Sequence, residues 1–337
     1  MADHDRAGLD GLITPPLSRR GFVMTSLMSG LTLATTRVEA QVIHTDSAGI
    51  EAGEVKIPAA DGPMPAYRAV PEGAGPFPIV LVIEEIFGVH DYIKDICRRL
   101  AKAGYCAVAP ELYARQGDLS TMSDPKQIIR DVIAKTPDAQ WIGDLDATVA
   151  WAASAAKGDP NRLGVMGWCR GGRDAWLYAA HRRDLKAAVA WYGPIGGERT
   201  DIQPRTAGDV AAEIHAPLLA LYGGADAGIP VAAVEEARDR AKAAGKSVEL
   251  VIYPEAPHGF HADYRPSYRR EAAEDGWARA GLPEIARRRL NRRLRTPDRA
   301  RSGTAVLPKT RPQLHNRARI QGGSVPARVW PFAALGR

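Results

Sequence analysis

The sequence predicts an α/β fold: a single domain on a mostly parallel central sheet, flanked by helices on both faces. Three observations predict it. From about residue 54 to residue 280, short apolar runs alternate with segments of helical spacing, and such alternation implies parallel strands joined by right-handed crossovers. The run Phe77-Pro78-Ile79-Val80-Leu81-Val82-Ile83 is continuously apolar, as a central strand buried on both faces should be. Finally, Arg162-Leu163-Gly164-Val165-Met166-Gly167-Trp168-Cys169-Arg170-Gly171-Gly172 reads as a strand entering a Gly-x-Cys-x-Gly turn, with a helix behind it.

The elements follow in order. Residues 54–57 and 66–70 are expected as two short strands around the turn at Asp61-Gly62-Pro63, and 77–83 as the apolar central strand. Helical spacing over 91–103 places Ile93, Ile96, Cys97 and Leu100 on one face, and Gly104 is a C-terminal cap. A strand is expected at 105–109, then two helices over 123–156 interrupted near Pro137. Beyond the cysteine turn come a helix over 174–181, a strand at 187–191 and a loop rich in Gly and Pro. The remaining elements are a strand at 217–222, a helix at 231–244, a strand at 248–253 and a last helix at 267–280.

Both ends of the chain differ from this body. Ser18-Arg19-Arg20-Gly21-Phe22-Val23 resembles a twin-arginine export signal, an apolar stretch diluted with Ser, Thr and Gly follows, and Val38-Glu39-Ala40 suits a processing site. Residues 1–40 are therefore expected to be a signal peptide, with a periplasmic or secreted destination and membrane contact only during export. The apolar stretch falls short of the ~20 residues a membrane-spanning helix requires. Residues 41–285 are expected as the folded domain and 286–337 as a disordered arginine-rich tail, too poor in apolar residues to build a core. The charge divides accordingly. From Arg287 onward the formal charge is +13, leaving −7 for the rest of a chain whose net charge is +6. The basic character thus belongs to the tail, and no nucleic-acid partner is expected of the domain.

Three cysteines, Cys97, Cys106 and Cys169, cannot form a disulfide framework, and no Cys/His spacing suggests a metal site. Cys97 and Cys106 fall on a helix and a strand as core residues. Cys169 is different. Small residues on either side of it permit a very tight strand-to-helix turn, the setting of a nucleophile elbow. Asp226 follows the strand at 217–222, His258 the strand at 248–253, and Glu84-Glu85 the strand at 77–83. In open α/β sheets reactive groups gather at the carboxyl ends of strands. The chain order nucleophile, acid, base is that of the α/β-hydrolases. A thiolate is the reactive form of cysteine, so His258 would take its proton and Asp226 would orient the imidazole. The backbone N–H groups of Arg170 and Ile86 are placed to receive a tetrahedral oxyanion.

The chain resembles the dienelactone hydrolase (carboxymethylenebutenolidase) family over about residues 53–280. The resemblance is carried by Glu84-Glu85-Ile86-Phe87-Gly88-Val89, Pro110-Glu111-Leu112-Tyr113-Ala114-Arg115-Gln116 and Gly167-Trp168-Cys169-Arg170-Gly171-Gly172. Trp191-Tyr192-Gly193, Gly224-Ala225-Asp226 and His258-Gly259-Phe260 complete it. It implies Cys169 as nucleophile, His258 as base, Asp226 as its partner and Glu85 as a carboxylate that helps to generate the thiolate. It also implies Arg115 as the site for a substrate carboxylate, with Trp168 and Tyr192 against the substrate. A second carboxylate-binding arginine, expected four residues after the histidine, is replaced by Ala262, with Arg265 nearby.

The expected activity is hydrolysis of a small ester or lactone, one that can bear a carboxylate, through a thioester acyl-enzyme. The protein is expected to be a monomer requiring no cofactor. Two alternatives stand beside this: a general carboxylesterase of the same fold that does not act on dienelactone, and a non-catalytic binding protein with a basic tail.

Overall fold

The computed structural model describes residues 42–282 together with Phe332 and Leu335. The expected signal at 1–40 lies outside the described residues, as does the tail at 286–337 apart from those two positions. Eight strands form one sheet in the order β1-β2-β4-β3-β5-β6-β7-β8. They are β1 (Ile50–Ala59), β2 (Gly62–Pro71), β3 (Phe77–Ile83), β4 (Cys106–Pro110), β5 (Gly158–Trp168), β6 (Ala187–Trp191), β7 (Leu218–Gly223) and β8 (Val248–Tyr253). Strands β3 to β8 pair in parallel, while the β1–β2 hairpin joins β4 antiparallel. The helices are α1 (Asp91–Lys102), α2 (Pro125–Asp131), α3 (Asp138–Ala155), α4 (Arg170–His181), α5 (Ala207–Val210), α6 (Val231–Ala243) and α7 (Arg270–Arg279).

The central strands obey their sequences closely. Every residue of β4, β6 and β7 is buried, and β3 is buried throughout except at Phe77. The hairpin strands run longer than expected, from Ile50↔Pro71 to Ala59↔Gly62. Backbone pairing, not burial, extends them, so apolar patterning does not reveal their ends. Two other boundaries move. Helix α4 begins directly at Arg170, and α7 begins at Arg270 because residues 259–268 form a series of turns after β8. Pro137 sits at the N-cap of α3 with φ −65° and separates it from α2 and a short 3-10 turn at Ile133–Lys135, as the sequence predicts.

Two residues of the 286–337 stretch fall among the described residues and pack against the domain. Phe332 and Leu335 are buried. The Phe332 ring packs edge-on to Tyr105 at 6.1 Å, and the Tyr105 hydroxyl donates to the Phe332 carbonyl at 2.8 Å. Gly164 of β5 makes the room: a Cβ there would lie 2.5 Å from Phe332 Cε1. Arg162 Nη1 donates to the Leu335 carbonyl at 3.3 Å. Counting apolar residues in a stretch cannot reveal two that fill a notch prepared elsewhere.

Because β3 to β8 are parallel, their carboxyl ends deliver Glu84 and Glu85, Cys169, Tyr192, Asp226 and His258 to one edge of the sheet. Phe332 lies outside that group, which allows a clean test of its role. Phe332→Ala is expected to destabilise the domain by about 3–5 kcal/mol, the usual cost of truncating a buried phenylalanine. An unchanged urea midpoint would show that this contact contributes nothing to stability.

Candidate active site

Cys169 adopts φ +52°, ψ −118°, a left-handed conformation that a side-chain-bearing residue rarely holds. Such strain costs on the order of 1–3 kcal/mol and persists only where neighbours over-determine it. Two glycines do so here. A Cβ at Gly167 would lie 2.0 Å from the Gly171 carbonyl oxygen, and one at Gly171 would lie 2.4 Å from the Ile83 carbonyl oxygen. The strand, the turn and the start of α4 therefore touch backbone to backbone. Cys169 N–H donates to the Trp191 carbonyl at 3.0 Å, tying the turn to the end of β6.

The three residues expected to act together are brought together. His258 Nε2 lies 3.3 Å from Cys169 Sγ, and His258 Nδ1 lies 2.8 Å from Asp226 Oδ2. Asp226 is aimed by its own turn, since its other oxygen accepts from Gly228 N–H at 2.8 Å. The Tyr192 ring stands edge-on to His258 at 5.2 Å, its residue also at a positive φ of +38°. All four side chains are buried. Burial alone would lower the His258 pKa, but Asp226 and the Cys169 sulfur outweigh it and push the imidazole up to about 10. Ile86 lies in the turn after β3, and Arg170 opens α4, where the first N–H groups have no acceptor within the helix.

Glu84 and Glu85 are neighbours in opposite states. Glu84 is fully buried; its Oε1 accepts from Leu112 N–H at 2.9 Å, and burial together with Glu111 pushes it well above the carboxylate range. Burial opposes ionisation of Glu85 too, but Arg265, His90 and the Tyr264 hydroxyl overcome it and hold that carboxyl at about 2. Its Oε2 accepts from Tyr264 Oη at 2.8 Å and Arg265 Nη2 at 3.2 Å, with His90 Nε2 at 3.7 Å. The hydrogen bonds of Glu85 thus run to these groups and not to the thiol.

Arg265, seven positions after His258, reaches the site because a turn folds it back, its N–H donating to the Ala262 carbonyl at 3.1 Å. Its guanidinium is buried over the Phe87 and Tyr264 rings at 4.8 and 4.9 Å, and Nη1 has no hydrogen-bond partner among the described residues. The Tyr192 hydroxyl is buried and likewise has no partner among the described residues. Unsatisfied buried donors of this kind are costly unless a ligand meets them.

Two expected contacts are placed differently. Arg115 forks onto Asp144, with Nη1 and Nη2 at 2.7 and 3.0 Å from its two oxygens, and its Nε donates to Asp61 at 2.6 Å. The guanidinium is thus already neutralised by two carboxylates. Trp168, expected against substrate, is wholly buried, stacked on Trp191 at 6.2 Å and edge-on to Tyr92 at 6.3 Å. Its position on the last residue of β5 sends it into the core. Sequence reasoning missed Tyr264 and His90. His90, in Gly88-Val89-His90 ahead of α1, was the discoverable one, since histidine is a poor N-cap choice. His261 is buried and held neutral by burial and Arg99, its Nδ1 accepting from Tyr92 Oη at 2.6 Å.

Comparison with known proteins agrees with the geometry. The sequence profile described as "Dienelactone hydrolase family" matches residues 64–281. A protein of Methylorubrum extorquens named "Putative carboxymethylenebutenolidase" is 58% identical over 264 residues, covering 78% of this chain and 91% of its own. A protein of the same name from Escherichia coli K12 is 47% identical over 256 residues, 76% of this chain and 94% of its own. A crystal structure titled as a "Putative Dienelactone Hydrolase" from Klebsiella pneumoniae superposes with a TM-score of 0.67 at 52% identity. It covers 68% of this chain and 96% of that one.

The two shifted groups predict a stability profile with opposite limbs. His258 is raised above its ordinary 6.5, so its pairing stabilises fully below about 6.5 and is lost as pH rises through about 10. Glu85 is depressed below its ordinary 4.5, so its contribution is present above about 4.5 and is lost as pH falls towards about 2. Asp226→Asn should therefore lower Tm at pH 7, with the gap to the parent narrowing towards pH 10 in a melting series. A gap independent of pH would mean that the pair is not coupled to folding.

Proposed function

The chain belongs to the dienelactone hydrolase family and is a hydrolase, and on that premise we propose that it cleaves ester or lactone bonds through Cys169, His258 and Asp226. The observation that carries this reading is the unbroken contact chain from Sγ to Nε2 at 3.3 Å and from Nδ1 to Oδ2 at 2.8 Å. Thiolate sulfur attacks the carbonyl carbon, and the oxyanion is received by the N–H groups of Ile86 and Arg170. The C–O bond breaks, the leaving oxygen takes the Nε2 proton of His258, and a thioester remains. Water then gives a proton to His258 as it attacks the thioester. The C–S bond breaks, the acid leaves, and thiolate and imidazolium are restored.

Glu85 supports the thiolate. A substrate carboxylate competing for Arg265 would release Glu85, which then takes the proton of any thiol that His258 has not ionised. Arg265 is the better carboxylate receptor in this chain, since Nη1 is unpartnered while Arg115 is held by Asp61 and Asp144. The rewired arginine favours a second reading, a general carboxylesterase that does not turn over dienelactone.

One set of assays separates these possibilities. Cys169→Ala should reduce hydrolysis of both dienelactone and p-nitrophenyl acetate by on the order of 10³-fold or more. Activity retained in that variant would sink the mechanism. Arg265→Ala should raise KM for dienelactone while sparing the acetate, and Arg115→Ala should affect the two alike. No dienelactone turnover by the parent enzyme would select the general esterase.

We place the enzyme, as a monomer, beyond the inner membrane, guided there by Arg19-Arg20 and the apolar stretch behind them. Replacing both arginines with lysine should abolish recovery from the periplasmic fraction; equal recovery would refute the assignment.

A further inference from the structure

Arg115 is held by Asp61 and Asp144, but Glu111 and Leu112, a few positions earlier, grip the turn that carries Ile86. At one end of that turn, Glu84 Oε1 accepts from Leu112 N–H at 2.9 Å. At the other, Glu111 Oε1 accepts from Val89 N–H at 3.2 Å. Between them Glu85 and Gly88 form an isolated β-bridge. The Ile86 N–H is thus located relative to residues 111–112 by contacts on both sides of it. Tyr113, the next residue, carries this bracket to the other side of the site. It is wholly buried, and its hydroxyl donates to Asp174 Oδ2 at 3.2 Å. Asp174 lies one turn into α4, where it also accepts from Arg170 Nε at 3.3 Å and Arg173 Nη1 at 2.7 Å.

The start of α4 is not built for stability alone. It opens on two arginines with no acid in its first turn, the unfavourable sign for the positive end of a helix dipole. The fully buried Asp174 offsets them, together with Asp138 at the start of α3, onto which Arg173 forks at 3.0 and 2.9 Å. Arg170 Nη1 reaches further, donating to Gln203 at 3.2 Å. Buried ion pairs of this kind seldom stabilise more than apolar residues of similar volume would. What this one supplies is a fixed position for the first turn of α4, and so for the Arg170 N–H.

We propose that Tyr113 and Asp174 are positioning residues whose hydrogen bond sets the spacing of the two oxyanion donors, the N–H groups of Ile86 and Arg170. The inference rests on the reading of those groups as receptors for a carbonyl oxygen when Cys169 attacks. The strut touches neither Cys169 nor His258, so its loss leaves their contact in place and lets the two donor-bearing segments drift. Such donors must lie about 2.7–3.1 Å from the point where the oxyanion forms. A small displacement is therefore felt in the transition state more than in substrate binding.

The test compares Tyr113→Phe, Asp174→Asn and the double variant with the parent, as full-length proteins. Each is assayed with p-nitrophenyl acetate and, separately, for alkylation of Cys169 by iodoacetamide. Alkylation displaces iodide from a saturated carbon and uses no oxyanion donor, so it reports the thiol alone. Cys97 and Cys106 are buried and their thiols are pushed up, so they compete little. Tyr113→Phe should lower kcat about tenfold with KM little changed. Asp174→Asn should lower it at least as far, and the double variant no further than Asp174→Asn, since both changes break one bond. Alkylation should keep the parent rate throughout. An unchanged kcat in Tyr113→Phe would overturn the inference, as would fully additive losses or a parallel fall in alkylation, which marks damage to the whole site. Tyr113→Phe keeps the ring and decides the matter even if Asp174→Asn fails to fold. Hydrolysis by the parent that survives complete alkylation of Cys169 would overturn the underlying reading instead.

Discussion

The backbone contact at the cysteine turn is the constraint on which the other features depend. Gly167 against Gly171, and Gly171 against the carbonyl of Ile83, leave no space for a side chain. The same contacts that strain Cys169 fix the separation of β5 from α4 and of both from the end of β3. Glu85 and Ile86 follow β3 directly, so their distance from the sulfur is set by this packing. The bond from Cys169 N–H to the Trp191 carbonyl extends the arrangement to β6, where Tyr192 and its ring contact with His258 begin. A single close approach thus registers three strand ends.

Around that frame the charges are sorted by environment and not by residue type. Glu84 and Glu85 are adjacent and equally buried, yet one is pushed up and the other down. The difference is in what each side chain meets: a backbone N–H and Glu111 in one case, a guanidinium, an imidazole and a phenol in the other. Separation of two carboxyls by their surroundings is how a fold assigns distinct work to like groups. A substrate that engages Arg265 would alter one of these states and leave the other intact.

Much of this was legible in the sequence. Strands buried on both faces announce themselves as apolar runs, and β3, β4, β6 and β7 appear where such runs fall. Cys169, Asp226 and His258 were legible because each follows a strand and because their order in the chain is restrictive. The clamp on Glu85 was not, since Tyr264 and Arg265 lie 179 and 180 positions away. Nor was the engagement of Arg115, whose two partners sit 54 and 29 positions distant in the β1–β2 turn and on α3. Motifs record which residue types are present; the pairings that decide whether an arginine is available arise only when the sheet brings remote segments together. Trp168 shows the same limit, because proximity to a nucleophile in sequence says nothing about which way an indole turns.

The packing of Phe332 has a further consequence for how the chain comes into being. Tyr105 and Phe332 are 227 positions apart, and the notch over Gly164 lies on one of the innermost strands of the sheet. During synthesis, β4 and β5 leave the ribosome long before the residue that covers them. That corner stays open to water until residue 332 has emerged, and long-range closure of this kind is slow and exposes apolar surface meanwhile. Completion of that part of the core therefore waits until residue 332 has been made, and a chain cut short of it would leave the notch over Gly164 unfilled.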